Sequence, residues 1–134
     1  MSMKTIMRVI KKKVKKVKSI ILYGSRARGD YGPASDYDFL IISDEIPENL
    51  DQRLDMEAEI GDELILKGIQ VSILFLTQKE LESSMNTSDP LMIEIYHNHK
   101  MIEDDGTFKK ALKIIKPKLK NAIRIPEFKA WKLI

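Results

Sequence analysis

Apolar residues along the chain switch between two periods, and the switches mark its elements. Residues 20–23 (Ile-Ile-Leu-Tyr) and 39–42 (Phe-Leu-Ile-Ile) are short continuous apolar runs, bounded by turn-forming residues, and read as strands. The stretch between them is rich in Gly, Pro, Ser and Asp and reads as a loop or short helix. Residues 69–76 form a third strand with Gln70, Ser72 and Leu74 on one face. Helical spacing governs the rest. Met7, Ile10, Val14 and Val17 mark an amphipathic helix over residues 5–18. A second helix spans residues 48–66, with Leu50, Leu54, Ala58 and either Glu57 or Ile60 along one side, its other acids toward solvent, and a stop at Lys67-Gly68. Thr77 caps a short helix over 78–84, with Glu80 as the capping-box acid. Asp89-Pro90 supplies an N-cap and a first-turn proline for a helix to His97, followed by a short strand over 100–103 and a turn at 104–106. A last helix over 107–120 carries Phe108, Leu112, Ile115 and Leu119 on one side, and Pro117 bends or ends it. The class is therefore α/β or α+β with a small, mostly mixed sheet, and ligands in such sheets bind at strand ends.

At 134 residues the chain suits one domain, with a core over about 5–103 and a basic C-terminal helix and tail over 107–134. Zero cysteines exclude disulfides, thiolate metal sites and thiol catalysis. No apolar stretch reaches the ~18 residues of a membrane span, and the basic N-terminus lacks the features of a secretory signal, so the expectation is a cytoplasmic protein without a membrane partner.

The net charge of +3 conceals an asymmetry. Residues 1–18 hold eight basic side chains and no acid, and residues 108–134 hold nine basic and one acidic. The middle holds six basic and nineteen acidic side chains. The basic ends either pair with that acidic middle or contact RNA or an acidic partner. RNA contact ranks last, because no stacking aromatics interleave with the lysines. The N-terminal stripe is narrow and free of Trp and Phe, which favours packing on the sheet over a membrane surface. Phe128, Trp131, Leu133 and Ile134 are candidates for docking on this chain or on another copy, which would make a homo-oligomer.

The chemistry concentrates in residues 24–38. Asp36 and Asp38, two apart at a strand start, point to one side and aim at one spot. Two ionised carboxylates repel by roughly 4 kcal/mol at about 4 Å and an effective dielectric near 20. A divalent cation, a basic partner or a shared proton must compensate, and Mg²⁺ held with substrate phosphates fits best. Gly24-Ser25 offers backbone N–H groups close to a phosphate. Together they suggest phosphoryl transfer. No Walker-type or dinucleotide-binding glycine motif is present, and His97 and His99 have no third ligand in view.

Gly24-Ser25, ten intervening residues, then Asp36-x-Asp38 leading into an apolar strand resembles the nucleotidyltransferase fold of the DNA polymerase β superfamily. With Arg26, Arg28, Gly29 and Ser35 the run is similar to the minimal nucleotidyltransferases, and the Asp89-Pro90-Leu91 and Ile93-Glu94-Ile95 segments are similar to their C-terminal part. The resemblance covers the chain to about Glu103. It implies that Gly24 and Ser25 hold the phosphates of an NTP, most simply ATP, that Asp36 and Asp38 are catalytic and hold Mg²⁺, and that Arg26 or Arg28 reaches phosphate oxygens. For the arginines the alternative is an ion pair with Asp30 or the acidic helix. Ser35 either orients the metal site or starts the strand. The resemblance further implies AMP transfer to a hydroxyl, with a tyrosine of a HEPN toxin as acceptor, in an antitoxin role.

One residue departs from the family pattern. The third strand normally carries an acid between two apolar residues, and here Val71-Ser72-Ile73 puts Ser72 in its place. Serine is a poor metal ligand or base. Two classes of function follow: a nucleotidyltransferase working with two carboxylates, or a catalytically impaired module that binds nucleotide or partner.

Overall fold

The computed structural model describes residues 3–119 together with the strands at 122–125 and 130–133. In chain order the elements are α1 (Met3–Lys13), β1 (Ser19–Tyr23), α2 (Ser25–Arg28), β2 (Tyr37–Ile42), α3 (Leu50–Ile65), β3 (Val71–Leu76), α4 (Gln78–Asn86), α5 (Pro90–His97), β4 (Lys100–Asp104), α6 (Thr107–Ile115), a 3₁₀ turn (Lys116–Lys118), β5 (Ala122–Ile125) and β6 (Ala130–Leu133). Four strands form a mixed sheet in the order β3-β2-β1-β4. β1 runs antiparallel to β2 and β4, while β2 and β3 are parallel because α3 carries the chain back across one face. β5 and β6 form a separate antiparallel pair.

Alternation along the strands divides the core in two. Ile20, Leu22, Phe39, Ile41, Ile73 and Phe75 pack with Ile6, Val9 and Ile10 of α1 and Ile60 and Leu64 of α3. Ile21, Leu40 and Ile42 face Leu81 and Met85 of α4, Met92, Ile93 and Ile95 of α5, and Phe108 and Ile115 of α6. The sheet is thus a middle layer with helices on both faces.

The local start signals hold. Thr77 and Glu80 form the reciprocal capping box of α4, and the Asp89 side chain accepts the Leu91 N–H ahead of Pro90. Pro117 lies in the 3₁₀ turn that follows α6, which ends at Ile115 rather than near 120.

Two helices differ from the expectation. α1 ends at Lys13, and Lys16 adopts φ 49° in the turn that feeds β1. α3 buries Arg53, Ile60 and Leu64, while Leu50 and Leu54, expected to mark its packed side, are 69% and 61% exposed. These two leucines lie in the N-terminal half of α3, beside the groove along β3, whereas Ile60 and Leu64 lie in the half that packs with α1 and the sheet.

The basic N-terminus does pair with the acidic middle: Lys11 with Glu103, Lys12 with Glu63, Lys16 with Glu45 and Lys18 with Asp44. Such exposed pairs stabilise little individually. Among the described residues no helix is long and apolar enough to cross a membrane. The side chains of Phe128, Trp131, Leu133 and Ile134 lie outside the described residues.

Candidate active site

β1 ends at Tyr23, and Gly24 turns the chain into α2 with φ 72° and ψ −157°. Only glycine occupies that backbone region readily. The reason for the glycine is also spatial: a Cβ on Gly24 would overlap the carboxylate of Asp38. Gly24 and the second aspartate are therefore pressed together, although they lie fourteen positions apart in the chain. Antiparallel pairing produces this, since Tyr23 lies opposite Asp38.

On the other side Asp38 is in register with Ser72 of β3. Tyr23, Asp38 and Ser72 form a row across three strands, all on the face that carries α4, α5 and α6 lower down. Asp36 precedes β2 and is exposed, while Asp38 is partly buried. Burial, and next the charge of Asp36, push the Asp38 carboxyl above the ordinary 3.8, with Arg28 pulling the other way. Burial first, then the charges of Asp38 and Glu57, push the Tyr23 hydroxyl up to about 12. The hydroxyl therefore stays protonated at neutral pH.

This raised carboxyl has a stability consequence. A carboxyl whose folded pKa is raised binds its proton more tightly folded than unfolded, so the ionised form costs stability at neutral pH. That cost disappears as pH falls below the unfolded value. In EDTA at pH 7, Asp38→Asn is expected to raise Tm by about 1–3 °C. A scanning calorimetry result showing a lower Tm would contradict the described electrostatics.

The two arginines of α2 part company. Arg28 turns toward the carboxylates, donating through Nε to Asp30 (3.1 Å) and through Nη1 to Glu94 of α5 (3.3 Å). Glu94 is buried and also accepts from Asn98 Nδ2 (2.9 Å). Arg26 turns to the opposite face. Its guanidinium stacks 3.9 Å from the Tyr37 ring centroid and 4.8 Å from that of Tyr31, and its Nε donates to Ser35 O (3.0 Å). Arg26 thereby ties the 29–36 loop to β2. The Ser35 hydroxyl accepts the Gly32 N–H and closes a turn in that loop.

Gly24, Asp36, Asp38 and Arg28 are therefore brought together, with Ser25 adjoining at the start of α2, whereas Arg26 is engaged elsewhere. His99 is engaged through Nδ1 with Ile95 O (2.7 Å), and no cluster of three metal-ligating residues occurs among the described residues. Sequence reasoning gave no role to Tyr23 or to Glu94. Strand parity with Asp38 marks the first, and a lone acid between two isoleucines in an apolar helix marks the second.

Two adjacent carboxylates, one raised by burial and by the other's charge and held against a backbone step with no Cβ, fit a hard, oxygen-seeking divalent cation. Such a cation takes one or two protein carboxylates and leaves positions open for phosphate and water.

Comparisons with known proteins bear on the family and the fold. A family model for the nucleotidyltransferase domain matches residues 3–102. MJ1305 of Methanocaldococcus jannaschii, which carries the name of an inferred protein adenylyltransferase, is 36% identical over 119 residues, covering 86% of this chain and 80% of that protein. A chain from a toxin–antitoxin complex with AMP-PNP superimposes with a TM-score of 0.62 at 17% identity, covering 87% of this chain and 86% of that one. A chain from the complex of a tri-AMPylated Shewanella oneidensis HEPN toxin with its MNT antitoxin gives 0.55 at 15% identity, covering 85% and 81%. At those identities the two structures report a shared fold.

Proposed function

The chain belongs to the nucleotidyltransferase-domain family, and we propose that it is a protein adenylyltransferase that moves AMP from ATP to a hydroxyl, with a tyrosine of a HEPN-type toxin as acceptor. The observation that supports this reading is the close approach of Gly24 to the Asp38 carboxylate, which Asp36 neighbours.

In this reading the Gly24-Ser25 backbone orients the β- and γ-phosphates. Asp36 and Asp38 would hold Mg²⁺, which when bound supplies charge neutralisation at the α-phosphate and the departing pyrophosphate. Arg28, held by Asp30 and Glu94, would supply positive charge to the same oxygens. The acceptor oxygen forms a bond to the α-phosphorus as the bond to pyrophosphate breaks, and the acceptor proton passes to solvent. Positioning and charge stabilisation dominate such chemistry.

The test is incubation with labelled ATP and Mg²⁺, with and without a candidate helical partner, and mass spectrometry for one added AMP. The adduct is expected with wild type and is expected to fall at least ~100-fold in Asp36→Ala and Asp38→Ala. An adduct that forms equally well in both variants would refute the assignment.

A second reading rests on one feature, the serine in register with Asp38. If Ser72 leaves the site one acid short, the chain binds nucleotide or partner without turnover. Wild type would then give no adduct, and Ser72→Asp would gain one.

A further inference from the structure

We propose that the groove between α3 and the outer edge of β3 is the docking site for a basic amphipathic helix of a protein partner; this rests on the adenylyltransferase reading only in taking that partner to carry the acceptor. The groove encloses about 240 Å³ and is lined by Leu50, Arg53, Leu54, Glu57, Ile73 and Leu74, with Phe75 at its end. Positions 50, 53, 54 and 57 form one stripe of α3, facing β3.

The occupant follows from three observations. First, β3 is an edge strand, yet two of its outer backbone groups are already taken. Glu57 Oε2 accepts the Ile73 N–H (2.7 Å), and Arg53 Nη1 donates to Phe75 O (3.1 Å). A partner strand cannot add there without breaking both bonds, which leaves recognition through side chains. Second, Leu50 and Leu54 are one helical turn apart and mostly exposed, while Leu74 opens onto the same groove. An apolar stripe at i, i+3 and i+4 of an incoming helix matches that spacing. Third, the neighbouring surface is acidic. Glu48, Asp51, Asp55, Glu59 and Asp62 are exposed along α3 and its entry, whereas the helix's one basic residue, Arg53, is buried and paired with Glu80. Lysines or arginines flanking the apolar stripe complement that charge.

The probe is a synthetic capped 14-residue helix with leucines at i, i+3, i+4 and lysines elsewhere. A sequence-scrambled peptide of the same composition and a Leu/Glu counterpart serve as controls. Fluorescence anisotropy is expected to show binding of the amphipathic Leu/Lys helix alone, weakened at least tenfold by Leu50→Ser/Leu54→Ser and also weakened by Asp51→Lys/Asp55→Lys. Both pairs are exposed, and circular dichroism checks that the variants keep their fold. Equal binding of the scrambled peptide, or binding unaffected by the leucine pair, overturns the proposal by reducing it to charge attraction. Self-association that the leucine pair abolishes overturns it by making a second copy the occupant. Selective peptide binding without any AMP adduct would refute the proposed activity and leave the docking site standing.

Discussion

Gly24→Ala is expected to cut AMP transfer by at least ~100-fold in a chain that still folds. Two effects add. The backbone there sits at φ 72° and ψ −157°, a region that costs a residue with a side chain about 1–3 kcal/mol. The new methyl group also overlaps Asp38 Oδ2, so the carboxylate or the turn must move. A misplacement of about 1 Å in such a constellation is worth roughly 10²-fold in rate. The prediction separates geometry from chemistry, because the variant keeps every ionisable group of the site. Single-turnover rates and a thermal melt on the same sample decide it. An unchanged rate would show that the approach of Gly24 to Asp38 has no part in the reaction. Ordinary folding with lost transfer supports the arrangement.

Arg53→Ala is expected to destabilise the fold by about 1–3 kcal/mol. Arg53 is 7% exposed and joins four segments: Nε donates to Pro47 O (2.6 Å), and Nη1 to Phe75 O (3.1 Å) and to Glu80 Oε1 (2.9 Å). Truncation strips these partners at once and opens a void under α3. Arg53→Lys keeps the charge without the planar fork and should lose less. Urea midpoints at constant m-value measure the difference, and a loss under 1 kcal/mol would rule out the cross-linking role. The pH dependence has a definite sign. Burial acts to raise the Glu80 carboxyl, but hydrogen bonds from the Thr77 amide and from Arg53 outweigh it and hold it below the usual 4.5. A depressed carboxyl stabilises the fold above its unfolded pKa, and that contribution is lost as pH falls through the folded value. The gap between wild type and Arg53→Ala should therefore narrow below about pH 4.5. The Thr77 share of the effect persists in the variant.

What could be read from the chain alone is what depends on neighbours within a few residues. The Gly24-Ser25 step, the Asp36-Asp38 pair and the capping signals at Thr77-Glu80 and Asp89-Pro90 are local statements about φ, ψ and i-to-i+n geometry. So are the three sheet runs that carry the site. Their types and approximate limits, and with them the mixed sheet, follow from period and punctuation.

The fold decided whatever depends on contacts distant in sequence. α3 carries Leu50 and Leu54 in its N-terminal half and Ile60 and Leu64 in its C-terminal half, and periodicity alone does not say which half the sheet covers. Packing with α1 and the sheet buried the second pair, whereas the first lines the open groove beside β3. Arg26 and Arg28 are equivalent as sequence, yet they lie on opposite sides of the sheet, one stacked on Tyr37 and the other paired with Glu94, sixty-six residues away. Arg53 has no local signature at all, because its partners come from a loop, a strand and a helix cap that only the folded chain brings together. Local sterics and hydrogen bonding act along the chain and are written in it, whereas the choice of face and of ion-pair partner is made by the packing of whole elements.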